Sequence, residues 1–530
     1  MSTAVVSTPP ELHTAAYMPD LLVAALARHA DRPAVYLGDE VLTASQVAAQ
    51  MSRYVQAYAA NGIGEGHPIA MLSKNRPEVL FTMGANMLSA TRSTSLHPMA
   101  SVEDQAYVLE DAGVETLVFD PSAFEERAAE LRDLVPGLKT LLSLGPSEVG
   151  TDLIALAQTF ESKPLVAPVI SDPLAVTGLT YTGGTTGKSK GVMQTYRSGA
   201  TLTQIQLAEW EWPEDTRFLI ATPLSHAGAA FFVPTLLRGG CIVVLPGFDP
   251  TAVLEAIEKY KITATMLVPT MLYILMDHPK INDYDLSSLE TVYYGASAMS
   301  PTRLKEAIER FGSIFFQFFG QSECGMTISV LKKGEHDIND LERLATCGRA
   351  VPWLKVALLD DDLNEVPDGE PGEICVRGPL VMKGYWNKPE QTDEALKGGW
   401  LHTGDIARKD AQGFMTIVDR KKDMIVSGGF NVFPREIEDV IGTHPAVAQV
   451  AVIGVPDEKW GEAVKAVVVL RPDQAVTADE LSELVKDKKG AVHSPKSVDF
   501  VEAIPLSALG KPDKKALRAQ YWGESGRMVN

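Results

Sequence analysis

The sequence Tyr181-Thr-Gly-Gly-Thr-Thr-Gly-Lys-Ser-Lys-Gly-Val192 holds four glycines, three threonines and two lysines within twelve residues. It follows the apolar run Pro173–Thr180, which we expect to form a buried strand. Glycine lets backbone N–H groups approach a phosphate closely, threonine hydroxyls add donors, and lysine adds a positive charge. The segment therefore predicts a loop that binds a nucleotide triphosphate. The plain alternative is a flexible surface turn.

The glycine spacing separates this loop from the Walker A loop, which needs Gly, four residues and then Gly-Lys-Ser/Thr. Gly187-Lys-Ser189 has the correct ending, but Thr182 stands five residues before Gly187, where the Walker pattern needs glycine. A P-loop kinase is therefore disfavoured, and a different phosphate-binding loop is expected.

The length and charge of the chain bound its class. With 530 residues, more than one domain is expected, and 45% hydrophobic and 22% charged residues are ordinary for globular proteins. The formal net charge of −20 opposes bulk attraction to nucleic acid or to an anionic membrane. Peripheral membrane association through an apolar patch stays open, and a homodimer is compatible with the sequence.

Cysteine spacing and local composition favour a cytoplasmic protein. The four cysteines are widely spaced with no C-x-x-C pair, which argues against a zinc module or a disulfide framework. The first ten residues lack the basic region of a secretory signal. The longest apolar stretch, Ala264–Met276, is broken by Pro269 and is too short to span a bilayer.

Strand-like and helix-like segments alternate through the first half of the chain. Thr43–Gln46 forms a capping box for a helix that Asn61-Gly62 ends, and a second helix is expected over Val102–Ala112. Strands are expected at Pro68–Leu72, Glu115–Phe119, Phe218–Thr222, Cys241–Leu245 and Ala264–Val268. This alternation predicts an α/β fold with doubly wound parallel sheets that carry helices on both faces.

The pattern changes from about Gly348. Strands separated by turn residues predict a β-rich subdomain: Val356–Leu359, Gly372–Gly378 and Phe414–Val418. After Asp419–Lys422 a smaller α+β unit is expected, with helices at Pro434–Ile441 and Thr477–Lys489 and strands at Val447–Ile453, Val464–Leu470 and Val498–Val501.

Short polar motifs follow several of these strands. They are Pro223–Gly228, Tyr294–Met299, Gln317–Glu323, Trp400–Asp405 and Pro505–Lys511. Each alone is compatible with a plain turn, and a lone histidine such as His226 is more often structural than functional. Trp400–Asp405 is expected to be a turn that ends in an exposed carboxylate.

Together and in this order, the motifs resemble the adenylate-forming acyl-CoA synthetases over about residues 30–515. The phosphate loop is the most diagnostic part, and Trp400–Asp405 and Asp419–Asp423 are nearly as specific. The resemblance implies ATP-dependent ligation of a carboxylic acid, as a small-molecule substrate, to coenzyme A through acyl-AMP, with Mg²⁺. It also implies a large core over 1–419 with a β-rich part at about 348–419, a hinge at 420–422, and a small mobile α+β domain at 423–530.

The resemblance assigns the ATP site residue by residue. Phe319 stands where the family has Tyr and is expected to stack on adenine, while Asp405 is expected to accept both ribose hydroxyls. The full implied set is Thr182, Gly183, Gly184, Thr185, Thr186, Gly187, Lys190, Gly295, Ala296, Ser297, Gln317, Phe318, Phe319, Gly320, Ser322, Asp405 and Arg420.

Three further residues are implied in catalysis. Glu323 is expected to hold Mg²⁺ and Lys511 to stabilise charge on the transferring α-phosphate. On composition alone Lys511 belongs to a solvated basic cluster, and only its match to the family pattern reverses that interpretation. His226 is expected to orient the substrate carboxylate.

The same resemblance implies a domain swing for the second half-reaction. Lys422 matches the hinge position, and Gly428 and Gly429 are expected to line the pantetheine tunnel of coenzyme A. For the two glycines, a plain turn is the alternative.

The acid itself is only weakly indicated. Ala227, Ala230 and Phe231 are expected to border the acyl pocket, and an apolar acid is the default because no charged anchor is identifiable. A medium- or long-chain fatty acid leads, and an aryl or steroid-derived acid follows. Delivery to a carrier-protein thiol and a non-catalytic nucleotide- or acyl-adenylate-binding protein remain as alternatives.

Three positions depart from the family pattern. Gly183 and Ser189 stand where the family often has Ser and Pro, and a more flexible loop is expected. Tyr196 replaces a common His, and nothing in the sequence explains that change.

Overall fold

The computed structural model describes residues 15–182, 188–421, 423–427, 430–457, 460–506 and 512–522. The described helices are α1 Met18–Arg28, α2 Ala44–Ala60, α3 Pro77–Leu88, α4 Val102–Asp111, α5 Pro121–Leu134, α6 Leu153–Gln158, α7 Tyr196–Glu209, α8 Phe232–Leu237, α9 Pro250–Tyr260, α10 Pro269–Met276, α11 Pro301–Phe311, α12 Leu341–Leu344, α13 Pro389–Ala395, α14 Pro434–Ile441, α15 Ala478–Lys489 and α16 Lys514–Trp522.

The described strands range from two to eleven residues. They are β1 Pro33–Leu37, β2 Glu40–Thr43, β3 Pro68–Leu72, β4 Arg92–Ser95, β5 Thr116–Phe119, β6 Thr140–Ser143, β7 Thr151–Asp152, β8 Val176–Thr182, β9 Lys190–Thr195, β10 Arg217–Ile220, β11 Cys241–Val244, β12 Ala264–Leu267, β13 Thr291–Gly295, β14 Phe315–Gln321, β15 Cys324–Leu331, β16 Arg349–Ala350, β17 Lys355–Leu359, β18 Gly372–Arg377, β19 Leu401–Lys409, β20 Met415–Arg420, β21 Ile425–Ser427, β22 Phe430–Val432, β23 Val447–Asp457, β24 Gly461–Leu470 and β25 Ser497–Phe500.

The chain divides into two compact units. Unit 1 comprises residues 1–181, 193–207 and 215–247, and unit 2 comprises 182–192, 208–214 and 248–530. Within unit 1, one group of strands has the order β7-β6-β5-β3-β4-β8 and is parallel, and a second has the order β10-β11-β1-β2. The second group is parallel except for the β1–β2 hairpin.

Unit 2 contains three groups of strands. The first has the order β16-β15-β14-β13-β12, in which β12, β13 and β14 are parallel and the other pairs antiparallel. The second is the antiparallel sheet β17-β18-β19-β20. The third has the order β22-β21-β24-β23, with β25 parallel to β24. The expected α/β fold with a β-rich part and a smaller α+β part is therefore confirmed.

The N-terminus of α2 shows how the sequence sets local structure. The Thr43 hydroxyl accepts the Gln46 N–H at 3.3 Å, and the Gln46 side chain accepts the Thr43 N–H at 2.7 Å. This reciprocal pair is the predicted capping box. The helix ends before Asn61, and Gly62 takes the left-handed conformation with φ of +73°. Both boundary predictions are confirmed.

Two expectations about strands are wrong. The run Pro173–Thr180 does not form a buried strand, because β8 begins only at Val176 and only Leu179 in it is buried. The segment Trp400–Asp405 is not a surface turn between elements with an exposed acid. All but Trp400 lies in strand β19, within which the positive φ of Gly404 makes a local turn, and Asp405 is 3% exposed. The sequence Leu401–Lys409 has no regular alternation of apolar and polar residues, so local pattern does not indicate the strand.

The small α+β part has its own apolar core. Sheet residues such as Ile425 and Val452 pack with Ile437 and Ile441 of α14 and Leu481 of α15. The predicted helix over Pro434–Ile441 is confirmed at both ends. The helix expected over Thr477–Lys489 spans Ala478–Lys489, and Thr477 is its N-cap. Among the described residues, no helix combines the length and the apolar character needed to cross a bilayer.

Candidate active site

Asp405 and Arg420 form a close ion pair on adjacent strands of the antiparallel sheet. They are register partners across β19 and β20, and the Arg420 Nε lies 2.6 Å from the Asp405 Oδ1. The Asp405 side chain is 5% exposed and the Arg420 side chain 43% exposed. The pair therefore holds a buried carboxylate beside a guanidinium that reaches solvent.

The backbone turn before Asp405 is fixed by polar contacts. The Thr403 hydroxyl donates to the Ile374 carbonyl at 2.7 Å and accepts the Asp405 N–H at 3.1 Å. Gly404 has a φ of +72°, a conformation that glycine adopts without steric cost. These contacts determine where the Asp405 carboxylate points.

A Glu–Cys–His cluster lies behind this turn. Ligand-type atoms of Glu373, Cys375 and His402 lie within 4.8 Å of one another. Glu373 accepts the Gly404 N–H at 2.9 Å, faces the His402 Nδ1 at 3.0 Å and lies 3.6 Å from the Lys421 ammonium. Burial raises the pKa of the Cys375 thiol to about 12. The Glu373 contact with the Gly404 N–H supports the local turn before Asp405.

The turn after β13 approaches β14 closely. A Cβ added to Gly295 would lie 2.4 Å from the Phe318 carbonyl oxygen, so no larger side chain fits without displacing backbone. Ala296 follows with a φ of +65°, in the left-handed region that costs a non-glycine residue energy. Ala296 is exposed and Ser297 is partly exposed. Together they present backbone and small side chains to a planar ligand.

The neighbouring residues Phe318 and Phe319 of β14 face different ways. Phe318 is 3% exposed and stacks on Trp210 with ring centroids 4.9 Å apart. Phe319 is partly exposed, as its expected role in adenine stacking requires. Because strand side chains alternate between faces, only one of the two can meet a ligand with its ring.

Gln317 and Gln321 are the two glutamines of β14, four residues apart. Gln317 is 7% exposed, and its Oε1 has no hydrogen-bond partner within the described part of the chain. The Gln321 amide donates to the Thr403 carbonyl at 3.4 Å, which joins the end of β14 to the Asp405 turn. Gly320 is also tightly placed, because an added Cβ would lie 2.4 Å from the Met326 backbone.

Glu323 lies with Ser322 in the turn between β14 and β15 and is partly exposed. Its carbonyl accepts the Met382 N–H at 2.8 Å, and its carboxylate accepts the Tyr385 hydroxyl at 2.8 Å. Lys190, the first residue of β9, places its ammonium 4.6 Å from the centre of the Tyr385 ring. Glu323 and Lys190 are therefore held by one tyrosine.

The residues expected near the acid belong to unit 1. His226 precedes the short 3-10 helix Ala227–Phe231, and its Nδ1 lies 2.9 Å from the Ser225 hydroxyl. Burial, with a smaller contribution from His97, lowers the pKa of His226 to about 4, so the ring is neutral at pH 7. The His97 and His226 ring centroids are 5.1 Å apart in an edge-to-face arrangement. A neutral imidazole can donate one hydrogen bond to a carboxylate.

Asn75, which lies just before α3, holds the loop that carries His226. The Asn75 amide donates to the Thr222 carbonyl at 2.9 Å and accepts the Leu224 N–H at 2.8 Å. Ala227 and Ala230 are partly exposed, whereas Phe231 is fully buried and stacks on Phe218 at 4.5 Å. Phe231 is thus a buried packing residue, whereas the two alanines that precede it in sequence are partly accessible.

Several expected residues lie outside the described ranges. They are Gly183, Gly184, Thr185, Thr186, Gly187, Lys422, Gly428, Gly429 and Lys511. Thr182, which precedes the phosphate loop, is the partly exposed last residue of β8. The roles assigned from sequence to Thr182 and to the residues outside the described ranges stay predictions.

Sequence analysis missed Tyr385 and the pair Glu373–His402. The signal for Tyr385 lies in Gly384–Thr392, where Gly384 and Asn387 take positive φ angles and Pro389 starts α13. A turn this constrained places its aromatic side chain accurately. Glu373 and His402 lie inside segments that were interpreted only as a strand and a turn.

The family models agree with the class that this geometry suggests. Residues 22–386 match the AMP-binding enzyme family, and residues 436–511 match the AMP-binding enzyme C-terminal domain. The chain belongs to the AMP-binding enzyme family of adenylate-forming enzymes. Within that family it is an AMP-forming acid–CoA ligase, for which ATP and coenzyme A are substrates and Mg²⁺ is typical.

The curated relatives refine this placement. The chain is 56% identical to the medium/long-chain-fatty-acid–CoA ligase FadD8 of Mycobacterium tuberculosis, over 96% of this chain and 91% of that protein. It is 34% identical to a feruloyl-CoA synthase of an Amycolatopsis species, over 92% of this chain and 96% of that protein.

Solved structures share the fold. The amide bond synthetase McbA of Marinactinospora thermotolerans has a TM-score of 0.86 and 34% identity, and the match covers 94% of this chain and all of that one. The ATP-bound MatB of Rhodopseudomonas palustris has a TM-score of 0.84 and 26% identity, covering 94% and 99%.

Proposed function

We propose that this chain activates a medium- or long-chain fatty acid, or another bulky apolar acid, as acyl-AMP with release of pyrophosphate, and then transfers the acyl group to coenzyme A. The observation that carries the adenylation step is the Asp405–Arg420 pair, a buried carboxylate suited to both ribose hydroxyls. The 56% identity to a medium/long-chain-fatty-acid–CoA ligase supports the choice of acid.

In this proposal the adenosine lies between the Gly295–Ser297 turn and the Phe319 ring. Gln317 offers its unpaired amide oxygen to the exocyclic amine of adenine, which is a hydrogen-bond donor. Phe318 contributes only backbone, because its ring is stacked on Trp210. Gly320 and Ser322 lie on the path from the base to the α-phosphate.

The metal site in this proposal consists of the Glu323 carboxylate and phosphate oxygens. Mg²⁺ prefers oxygen ligands and is commonly bound by one carboxylate plus substrate phosphates. Glu323 fits this requirement, because it is partly exposed and one of its oxygens stays available while the other accepts Tyr385. The residues from Thr182 to Gly187, with Lys190, hold the β- and γ-phosphates.

The acid binds in this proposal beside neutral His226, with Ala227 and Ala230 leaving space above Phe231. Lys511 stabilises the charge that develops at the α-phosphate. Lys422 serves as the hinge between a core over 1–419 and a mobile domain over 423–530, and Gly428 and Gly429 line the path of the pantetheine arm. The enzyme is cytoplasmic and compatible with a homodimer.

The acceptor is the main alternative, because McbA is an amide bond synthetase at 34% identity. The test incubates the protein with ATP, Mg²⁺ and a panel of carboxylic acids, first for pyrophosphate release and then for product by mass spectrometry. Acyl-CoA from C8–C18 acids is expected. Adenylation without thioester, followed by acyl transfer to an amine or to a carrier-protein thiol, would reassign the second half-reaction.

A further inference from the structure

Tyr385 touches two separate parts of the candidate phosphate site. Its hydroxyl donates to the Glu323 carboxylate at 2.8 Å, and its ring lies under the Lys190 ammonium at 4.6 Å. One side chain therefore constrains a carboxylate and an ammonium that lie far apart in sequence.

The backbone around Tyr385 makes the same two connections. Val192 and Tyr385 form an antiparallel bridge, and the Trp386 N–H donates to the Gly191 carbonyl at 2.7 Å. On the other side, Cys324 bridges Val381. The segment from Val381 to Trp386 thus pairs with β9, the strand that follows the phosphate loop. It also pairs with Cys324, the residue after Glu323.

Tyr385 itself is held rigidly. Its backbone N–H donates to the Thr392 hydroxyl at 2.9 Å, and that hydroxyl donates to the Lys388 carbonyl at 2.8 Å. Gly384 has a φ of +142° and Asn387 a φ of +53°, which fixes the turn on both sides. A rigid support can orient a metal-binding carboxylate before the ligand arrives.

We propose that Tyr385 is a positioning residue that aims the Glu323 carboxylate at the magnesium ion of MgATP and holds the Lys190 ammonium beside the phosphates. This inference rests on the proposed function, since it assigns no role to Tyr385 in the absence of MgATP. The hydroxyl acts through Glu323 and the ring acts through Lys190, so the two effects are separable by mutation.

Tyr521 provides a matched control in the C-terminal part. Its ring lies under the Lys465 ammonium at 4.6 Å and its hydroxyl is hydrogen-bonded to Asp499, so it makes the same two kinds of contact away from Glu323. Tyr521→Phe reports the general effect of losing such a hydroxyl. Thermal unfolding of each variant reports whether the fold is retained.

The test measures ATP binding by titration calorimetry over a range of Mg²⁺ concentrations, without acid or coenzyme A. In Tyr385→Phe, the Mg²⁺ concentration for half-maximal enhancement of ATP binding is expected to rise by about tenfold, the scale of one charge-assisted hydrogen bond. Binding of metal-free ATP is expected to stay unchanged. Tyr385→Leu also removes the ring, and is expected to weaken metal-free ATP binding as well.

A double-mutant cycle separates positioning from general damage. In a Glu323→Gln background, Tyr385→Phe is expected to cause little further change in the Mg²⁺ dependence. An unchanged Mg²⁺ dependence in Tyr385→Phe, or an equal shift in Tyr521→Phe or in the Glu323→Gln background, would overturn the inference alone. Wild-type protein that does not bind MgATP would overturn both the inference and the proposed function.

Discussion

Asp405 is the residue whose position differs most from its sequence interpretation. In the structure it is buried and paired with Arg420 at 2.6 Å, so a ligand hydroxyl that reaches it meets a desolvated acceptor. A hydrogen bond to a charged group in such a place is worth more than one at the surface. In the proposed function, this carboxylate would contribute both binding energy and orientation to the ribose.

Asp405→Asn is expected to lower kcat/KM for ATP by about 10- to 100-fold, because the amide cannot accept two ribose hydroxyls and leaves Arg420 unneutralised. Steady-state pyrophosphate release at varied ATP measures this. The control is Asp215→Asn, which removes the surface Asp215–Arg217 ion pair. An equal effect of both substitutions on kcat/KM would contradict the ribose assignment.

His226 is expected to make stability depend on pH. Its pKa is lowered from 6.5 to about 4 by burial, so between these values the unfolded chain binds the proton more strongly. The contribution of neutral His226 is fully present above about pH 6.5 and is lost as pH falls towards 4.

The measurement is urea unfolding of wild type and His226→Gln at several pH values from 4 to 7. The stability of wild type relative to the variant is expected to rise with pH across that window. If the difference in free energy of unfolding between the two proteins did not change with pH, the lowered pKa of His226 would be contradicted.

Element boundaries are the part of the fold that local chemistry determines best. The Thr43–Gln46 capping box, the helix over Pro434–Ile441 and the strand over Pro68–Leu72 were all predicted with their observed limits or within a residue of them. In each case the deciding signal is a capping residue, a proline or a short apolar run, and these act over a few residues.

The β8 and β19 strands were harder because burial depends on distant partners. Pro173–Thr180 is apolar, yet most of β8 stays partly exposed. The local sequence predicts that Asp405 lies in a surface turn, but Asp405 pairs with Arg420 across β19 and β20 and is buried. Tyr385 was missed for the same reason, because its contacts with Lys190 and Glu323 join segments that no local pattern relates.

The close approach of β13 and β14 gives a prediction at the scale of elements. Gly295→Ala is expected to destabilise the protein by about 1–3 kcal/mol and to weaken AMP binding, because the new methyl would meet the Phe318 carbonyl. The control is Gly334→Ala, where nothing lies within 4 Å of an added Cβ. Urea unfolding and AMP titration measure the two effects, and equal stability of both variants would contradict the steric argument.

A buried ionic cluster joins α16 to the end of β20. Lys514 lies 2.8 Å from Glu438 and 4.0 Å from Asp419, and its side chain is 18% exposed. Burial raises the pKa of Asp419 to about 6, and the Lys514 charge opposes that rise. The cluster fixes α16, which follows Lys511 in sequence.

Lys514→Met is expected to destabilise the protein by about 2–3 kcal/mol, because it leaves two buried carboxylates without their cation. Lys515→Met is the neighbouring control, since Lys515 is exposed and is expected to change stability by less than about 0.5 kcal/mol. Denaturant midpoints measure both. Similar midpoints for the two variants would show that the buried cluster contributes little.

At the scale of the whole molecule, the family assignment and the site geometry lead to the same chemistry. The chain belongs to the AMP-binding enzymes, and unit 2 contains the Asp405–Arg420 pair, the Gly295–Ser297 turn and the contacts of Tyr385 with Glu323 and Lys190. Unit 1 holds neutral His226 and the small, partly exposed side chains of Ala227 and Ala230.

The central claim is attack of the substrate carboxylate on the α-phosphate of ATP, and ¹⁸O labelling tests it most directly. The protein is incubated with ATP, Mg²⁺, coenzyme A and a fatty acid labelled with ¹⁸O in its carboxylate, and the nucleotide products are analysed by mass spectrometry. The account predicts acyl-CoA, unlabelled pyrophosphate and AMP that carries one ¹⁸O atom. Formation of ADP and inorganic phosphate, or AMP without the label, would contradict it.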